Sequence, residues 1–429
     1  MSLSLDWINN GLGSDLLAPT EEQNMSFWRE RILSSERVIV FGVSGAGTRT
    51  LKMLQKKGIE VSFFLDNNPD LAPQSVPVYL PEVAPTSTLP IIIASAWYAE
   101  IMHAIARLSH KFDLEQVFPM PDVLQLESKI YDNAVGFPFY EVLESRLDDF
   151  KRVCGLYENK KSRLLFLKLI AYRLNFFQMH KMPLDLLPCK SSDYTKDDII
   201  YRDMAIEEDL ADEVKTLIRY QYAHPSYWEK GFLQPQQRDY VIDGGAWYGD
   251  TAYWYASKIG CEGKVFAFEP GRLAVNELIN TIAKSALSHC VMVENKALSN
   301  DVGYSAWAEL PDASPCSHLA GSSSVADNDV ELTSVDFFVD ENNIKKINVI
   351  KLDVEGADFD ALKGATNVIN RFVPDLAISV YHSAHHLVDI PLWIAAQDLG
   401  YRLRLSHNQL SFSETVCLAT CRDVKDIVL

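Results

Sequence analysis

Positively charged residues are scarce in this sequence. Its 429 residues include 40 Lys and Arg but 58 Asp and Glu, and the formal net charge is −18. This shortage argues against a nucleic-acid partner, because phosphate backbones are bound through clustered Lys and Arg side chains. Small molecules and proteins are therefore the expected partners, including further copies of the chain in a homo-oligomer.

Long apolar runs and a leader-like N-terminus are also missing. The run 89–97 is among the longest, and it falls well short of the ~20 residues that cross a bilayer. Residues 1–18 lack a basic segment followed by an apolar one. The sequence therefore predicts neither a signal peptide nor a membrane span.

Cysteine is infrequent and irregularly spaced. The chain has 7 cysteines and no CxxC pair, which favours reduced thiols and a cytoplasmic location. Cys417 and Cys421 alternate with apolar residues in a strand-like run, and we expect them to lie in the core rather than to bind a metal.

Alternating strand and helix signals dominate what remains. Strand-like runs at 37–42, 61–66 and 89–95 are separated by helical stretches, and the alternation resumes after residue 239. Residues 126–230 show only helical periodicity. The prediction is an α/β protein with two Rossmann-like parallel-sheet domains joined by helices. The expected boundaries are an N-terminal domain 1–125, a helical linker 126–230 and a C-terminal domain 231–429.

The segment YVIDGGAWYGDTAYWYAS, residues 240–257, carries the strongest chemical signal. A strand ends in Asp243, a turn follows, and a helix begins near Asp250. Three glycines give the turn its freedom: Gly244, Gly245 and Gly249. Glu269 ends the next strand, where an acid can accept hydrogen bonds from both hydroxyls of a ribose. An ordinary glycine-rich turn is the alternative interpretation.

Carboxylates within the turn separate two classes of ligand. Asp243 and Asp250 would repel the pyrophosphate of a dinucleotide, whereas S-adenosylmethionine carries a cationic sulfonium and an ammonium group. The two strand-like runs at the end of the chain also fit a methyltransferase sheet better than a dehydrogenase sheet. The pattern therefore predicts S-adenosylmethionine as the cofactor.

Several motifs together resemble the FkbM-family methyltransferases. They are IDGGAWYGDT, FAFEP, INVIKLDVEGADFDALKGA, SVYH and ETV, spread over residues 225–425. The resemblance implies a class I methyltransferase fold with a terminal antiparallel hairpin, and O-methylation of sugars, glycan precursors or natural-product hydroxyls. It also implies donor-binding roles: Asp243, Gly245 and Gly249 for the methionine part, Glu269 for the ribose, and Asn295 to Ala297 for adenine.

Catalytic candidates follow the fourth and fifth strands of the C-terminal domain. Asp353, Glu355 or His382 could remove the acceptor's hydroxyl proton, and the two carboxylates could instead cap the next helix. Asp353 and Glu355 are expected to point to opposite faces and so to have different roles. His382, His385 and His386 raise the question of a metal, but without a second ligand motif the sequence predicts none.

The N-terminal domain carries a weaker glycine pattern. Its candidate nucleotide site consists of four residues, Gly42, Gly45, Gly47 and Asp66. A nucleotide-sugar site and a purely structural or substrate-presenting domain are both compatible with it. The alternative function is therefore nucleotide-sugar binding, or an oxidoreductase or epimerase activity of this domain. The segment 306–328 is either a lid over the substrate or a surface insertion.

Overall fold

A computed structural model describes most of the chain and divides it into two compact units. The described residues are 3–43, 45–68, 76–95, 97–119, 131–189, 204, 206–308, 317–319, 328–409 and 411–422. The first unit comprises Met1–Leu147, Leu167–Ser191 and Leu410–Phe412, and the second comprises Asp148–Phe166, Ser192–Gln409 and Ser413–Leu429. The helical residues are thus divided between the units, and the three-domain boundaries remain a prediction.

The first unit contains a parallel sheet with helices along the chain between its strands. Its helices are α1 (Leu3–Leu12), α2 (Met25–Leu33), α3 (Gly45–Lys56), α4 (Tyr98–Ala106) and α5 (Gly136–Ser145). Its strands are β1 (Arg37–Phe41), β2 (Glu60–Leu65), β3 (Val78–Tyr79), β4 (Ile91–Ile93) and β5 (Val117–Pro119). Among the described residues the order is β3-β2-β1-β4-β5, with every pairing parallel. This order confirms the predicted Rossmann-like architecture.

Helices fill the middle of the chain, as predicted. They are α6 (Leu147–Leu156), α7 (Lys160–Leu174) and α8 (Asp212–Ala223), with 3-10 turns at Phe176–Lys181 and Leu184–Leu186. In the part of 126–230 that is described, the only strand-type pairings are isolated bridges at Tyr157 and Glu229.

The second unit is built on a seven-stranded sheet. Its strands are β6 (Tyr240–Gly244), β7 (Lys264–Phe268), β8 (Val291–Glu294), β13 (Val349–Leu352), β14 (Asp375–Ser379), β15 (Arg402–His407) and β16 (Thr415–Thr420). Over the described residues the order is β15-β16-β14-β13-β6-β7-β8, and β16 runs antiparallel to both of its neighbours. The predicted methyltransferase-type sheet with a terminal hairpin is confirmed. The central strands are buried on both faces, which explains why most of their residues are apolar.

Helices connect these strands, and a second, smaller sheet interrupts them. The helices are α9 (Asp250–Ile259), α10 (Arg272–Lys284), α11 (Val335–Glu341), α12 (Asp358–Lys363), α13 (Thr366–Phe372) and α14 (His386–Ala396). The small sheet contains β9 (Ala297–Leu298), β10 (Gly303–Ala308), β11 (His318–Leu319) and β12 (Asn328–Thr333). The run 291–298 is therefore split between two sheets, with β8 in the larger and β9 in the smaller. Residues 309–316 and 320–327 of the predicted lid lie outside the described residues.

Sheet topology brings the candidate residues to one edge. Strands β7, β6, β13 and β14 are neighbours and all run parallel, so their carboxyl ends lie together. Gly245, Glu269, Asp353 and Tyr381 follow these four ends. Cys417 is buried in β16 as expected, whereas Cys421 lies beyond its end and is half-buried. Among the described residues, no helix combines the length and apolar character that a membrane crossing requires.

Candidate active site

A cavity of about 250 Å³ opens at the carboxyl edge of the seven-stranded sheet. Its wall is formed by residues that follow the strand ends, by one face of α8 and by the small sheet. The charged residues of the wall are Asp250, Glu269, Lys296, Lys351, Asp353, Glu355 and Glu414. Carboxylates outnumber lysines in this set, so the described wall favours a cationic ligand.

The glycine turn brings main chain close to the cavity. Gly245 has a φ of 72°, and a Cβ added there would lie 1.8 Å from the carbonyl oxygen of Asp353. Gly249 has a φ of 90° immediately before α9, and its Cβ would lie 2.7 Å from Leu278 Cδ1. Only glycine fits these two positions without a shift of the surrounding atoms. Gly245 lines the cavity, whereas Gly244 and Gly249 do not.

Asp243 lies behind this turn and is fully buried. Its Oδ1 is 3.0 Å from Lys351 Nζ, and its Oδ2 accepts a 2.8 Å hydrogen bond from Thr251 Oγ1. Asp243 is absent from the cavity wall. The geometry therefore supports a role in holding the turn, and its contact with the donor stays a prediction.

Lys351 is the cation that the sequence interpretation missed. It faces Asp243 directly in the ladder between β6 and β13, and its Nζ also donates to the carbonyl oxygens of Gly244 at 3.0 Å and Gly245 at 2.7 Å. Burial lowers the pKa of Lys351, but the charges of Asp243 and Asp353 outweigh this and hold it above its usual value. A lysine within an apolar, buried strand must be paired, and that is the signal that could have revealed it.

Glu269 occupies the position predicted for the ribose ligand. Its Oε2 accepts a 3.0 Å hydrogen bond from the Trp247 N–H, and its Oε1 accepts one of 2.8 Å from the Gly271 N–H. Burial raises the pKa of Glu269 to about 7, although both backbone hydrogen bonds lower it. The carboxylate is therefore fixed in orientation at the cavity wall.

Three further residues were predicted to bind S-adenosylmethionine. Asn295 is outside the wall and donates to the carbonyl oxygens of Glu269 at 2.8 Å and Pro270 at 3.1 Å, so it supports the loop. Ala297 lines the cavity. Asp250 also lines it, accepts a 2.8 Å hydrogen bond from Gln221 Nε2, and has a pKa raised by burial.

Asp353 is held between two tyrosines. Tyr227 OH donates to its Oδ2 at 2.5 Å, and Tyr381 OH donates to its Oδ1 at 3.0 Å. Glu414, which the sequence interpretation missed, lies 3.5 Å from Tyr227 OH through its Oε2. Burial, reinforced by the charge of Asp353, raises the pKa of Glu414 to about 8.

His382 connects the carboxylates from behind the wall. Its fully buried ring places Nδ1 2.7 Å from Asp358 Oδ2. Its Nε2 is 3.3 Å from Glu355 Oε2 and 3.5 Å from Asp353 Oδ1. Burial lowers the pKa of His382, but the charges of Asp358 and Glu355 raise it well above its usual value.

The expectation that Asp353 and Glu355 face opposite ways is wrong. Residues two apart in a strand point to the same face, so the expectation misapplied the strand period. Strand β13 moreover ends at Leu352, and Glu355 has a φ of 49° in the turn that follows. Both residues line the cavity and approach the same nitrogen of His382.

Asp358 is the third residue that the sequence interpretation missed. It is fully buried, and its oxygens accept hydrogen bonds from the Val354 N–H at 3.0 Å and the Gly356 N–H at 3.2 Å. Burial opposes ionisation, but His382 lowers the pKa of Asp358 below its usual value. The repeated acids of DVEGADFD were a signal, but sequence alone does not show which acid turns inward.

The glycine pattern of the first unit spans the end of β1 and the first turn of α3, at Gly42, Gly45 and Gly47. Gly42 has a φ of 106°, and a Cβ at Gly47 would lie 1.8 Å from the Gly42 carbonyl oxygen. Asp66 accepts hydrogen bonds from the N–H groups of Val43 at 2.9 Å and Asn68 at 2.7 Å. These contacts stabilise the loop itself, and a nucleotide site here stays a prediction.

A family model for the methyltransferase FkbM domain matches residues 238–403, which include the glycine turn, Glu269 and the Asp353–His382 group. This stretch belongs to the FkbM methyltransferase family. The match confirms the predicted family for residues 238–403. Comparison with curated proteins gave no significant match.

Solved structures extend the likeness beyond the FkbM domain. A methyltransferase FkbM from Methylobacillus flagellatus KT has a TM-score of 0.58 and 15% identity, covering 97% of this chain and 98% of that one. At this identity the likeness shows a shared fold. An Aeropyrum pernix fibrillarin with natively bound S-adenosyl-L-methionine has a TM-score of 0.29 and 11% identity, covering 46% of this chain and 73% of that one. A Thermotoga maritima S-adenosylmethionine-dependent O-methyltransferase has a TM-score of 0.29 and 13% identity, covering 53% and 72%.

Proposed function

We propose that the chain transfers the methyl group of S-adenosylmethionine to a hydroxyl of a sugar, a glycan precursor or a related small molecule. The observation that carries this proposal is that Asp353 and Glu355 line the same cavity as Gly245 and Glu269, with His382 holding the two carboxylates from behind the wall. One end of the site therefore suits the donor, and the other can accept a proton.

The described residues fit the donor. Main chain at Gly245 lies where a Cβ would collide with Asp353, so the turn can approach a ligand closely. Glu269 presents an oriented carboxylate to a ribose, and Phe268 and Ala297 offer apolar surface to adenine. Asp250 adds negative charge for the ammonium and sulfonium groups. The bound donor would supply an electrophilic methyl group on a sulfonium leaving group.

The residues around Asp353 fit removal of a hydroxyl proton. Tyr227 and Tyr381 fix its carboxylate from two sides, and Glu355 stands beside it at the wall. His382 holds both carboxylates from behind. A positioned base contributes about 10²–10⁴-fold to such reactions, and alignment of the hydroxyl with the methyl group supplies much of the remaining acceleration.

The aromatic and hydrogen-bonding residues of the cavity wall favour a neutral polyol as the methyl acceptor. Trp307, Tyr220 and Tyr381 offer aromatic surface, while Asp353 and Glu414 offer hydrogen-bond acceptors to hydroxyl groups. The excess of carboxylates disfavours an acceptor whose phosphate enters this cavity. A sugar hydroxyl meets both conditions.

Donor binding is tested first, by isothermal titration calorimetry with S-adenosylmethionine. We expect Glu269→Gln to weaken binding at least tenfold, because the ribose loses a charged acceptor. Glu277→Gln is the matched control, since Glu277 is exposed on α10. Absence of donor binding by the folded native chain would refute the proposal.

The chemistry is tested by transfer of an isotopically labelled methyl group to a panel of sugars and glycosides. Mass spectrometry and NMR of the product should show a methyl ether. A product methylated on nitrogen or carbon would leave the donor site standing but refute O-methylation.

A further inference from the structure

Three metal-ligating side chains of different origin converge at the cavity wall. Asp353 and Glu355 follow β13, and His382 follows β14. Asp353, Glu355 and His382 each offer one atom, and these atoms all lie within 4.8 Å of one another. The sequence interpretation considered His382, His385 and His386, with Asp353 as a further ligand, and predicted no metal. His385 is exposed just before α14.

The spacing of these atoms matches the edges of a metal coordination shell. Nε2 of His382 is 3.3 Å from Glu355 Oε2 and 3.5 Å from Asp353 Oδ1. Bonds of about 2.1 Å place tetrahedral ligands about 3.4 Å apart and adjacent octahedral ligands about 3.0 Å apart. Small adjustments of the two carboxylates would bring all three atoms to bonding distance.

The surroundings of His382 are those of a ligand imidazole. Metal-binding histidines almost always donate a hydrogen bond from their second ring nitrogen to a carboxylate, a backbone carbonyl or a water. This bond fixes the tautomer and the ring orientation. Nδ1 of His382 lies 2.7 Å from Asp358 Oδ2, and this leaves Nε2 directed at Asp353 and Glu355. Asp358 also holds the Val354 and Gly356 N–H groups and so fixes the turn that carries Glu355.

The carboxylates around His382 also favour a bound cation. The side chains of Asp353, Glu355 and Asp358 are 12%, 15% and 0% exposed, and they surround a single fully buried imidazole. His382 is neutral when Nε2 binds a metal, so it cannot then balance any of the three carboxylates. A divalent cation would balance two of them, which lowers the cost of keeping these charges buried.

We propose that Asp353, Glu355 and His382 bind one divalent cation, with an open coordination position on the cavity side. Mixed carboxylate and imidazole ligands suit Mn²⁺ or Zn²⁺ better than Mg²⁺, which prefers oxygen ligands alone. Its role rests on the proposed function. The acceptor hydroxyl would bind at the open position and pass its proton to the uncoordinated oxygen of Asp353. Its oxygen would form the new bond to the methyl carbon, and the carbon–sulfur bond would break with its electron pair left on the sulfur of S-adenosylhomocysteine.

Metal binding can be measured without turnover. Full-length protein treated with a chelator is titrated by calorimetry with MnCl₂ and with ZnCl₂, and Mn²⁺ binding is checked by electron paramagnetic resonance. We expect one ion per chain for at least one of the two metals. Glu355→Gln and His382→Ala should each lower the affinity at least tenfold, and Asp358→Asn about 10–100-fold. His385→Ala is the control and should bind normally.

Two results would overturn the proposal. The first is no stoichiometric binding of either ion by native protein that still binds S-adenosylmethionine. The second is binding that survives Glu355→Gln and His382→Ala but is lost in His386→Ala, because His386 lies beside Asp358 on the other side of the ring. Thermal melting and donor titration of each variant show that it is folded. Failure of donor binding alone would refute the proposed function and leave the metal result intact.

Discussion

Removing the Lys351 ammonium tests the account of the glycine turn. In Lys351→Met, Oδ1 of the fully buried Asp243 loses its only described ion-pair partner, and the carbonyl oxygens of Gly244 and Gly245 lose a donor. Breaking a buried ion pair by removing one partner costs about 3–5 kcal/mol. For a unit of this size, 1 kcal/mol shifts the melting temperature by about 2–4 °C. We therefore expect melting to fall by about 6–20 °C.

The assay is differential scanning calorimetry of the full-length protein, which follows the melting of the unit that contains the FkbM domain. S-adenosylmethionine is titrated in parallel. Donor affinity should fall with stability, because the same ammonium holds the turn that faces the donor. Lys345→Met is the matched control, since Lys345 is exposed shortly before β13. It should melt within about 2 °C of the native chain.

A double variant isolates the pair itself. Asp243→Asn combined with Lys351→Met removes both charges, so it should melt several degrees above Lys351→Met alone. Because the folded pKa of Lys351 lies above its usual value, its stabilisation is complete below the unfolded pKa of about 10.4 and is lost as pH rises through the folded pKa. The reasoning is refuted if Lys351→Met melts like the native chain, or if the effects of the two changes simply add.

Two further predictions concern the donor end of the cavity. Because burial raises the pKa of Glu269 to about 7, its contribution makes the free energy of unfolding decrease as pH rises from about 4.3 to about 7. Its ionised fraction falls from about 0.9 at pH 8 to about 0.1 at pH 6, so calorimetry should show donor affinity about tenfold weaker at pH 6. Equal native affinities at the two pH values would contradict this, and Glu269→Gln should be insensitive to pH. Gly245→Ala should lower both melting temperature and donor affinity, because a Cβ would lie 1.8 Å from the Asp353 carbonyl oxygen. Gly231→Ala is its control, with a similar φ of 77° but no atom within 4 Å, and equal losses in the two variants would show that φ strain and not the close contact is responsible.

Much of the fold was predictable because its strands are buried on both faces. Runs such as those of β6 and β13 are rich in β-branched and other apolar residues, which makes their strand identity clear. The small sheet was missed because its strands are short or mixed in character, as in the GYSAWA of β10 and the NDVELT of β12. The hydrophobic residues of such strands show no simple period that would distinguish them from loops.

The sequence indicated which residues lie at the carboxyl edge of the sheet, but it did not indicate the partners or the directions of their side chains. Asp353, Glu355 and Glu269 all reach the cavity, as the ends of parallel strands require. The partners of Asp243 and His382 depend on strand register and on a turn with positive φ, neither of which a single sequence reveals. Lys351 was the exception, since a lysine inside a buried strand needs a charged partner.

Strands β10 and β11 line the cavity from a different sheet than the one that carries the glycine turn. Trp307 and Leu319 reach the cavity from β10 and β11, whose hydrogen-bonded neighbours belong to the small sheet and not to the sheet that carries Gly245 and Asp353. Substitutions or exchanged segments in this insertion can therefore reshape the space for an acceptor while the donor turn keeps its framework. A chain built this way can diversify its substrates by altering one short stretch, and that same stretch is the natural target for engineering a new acceptor preference.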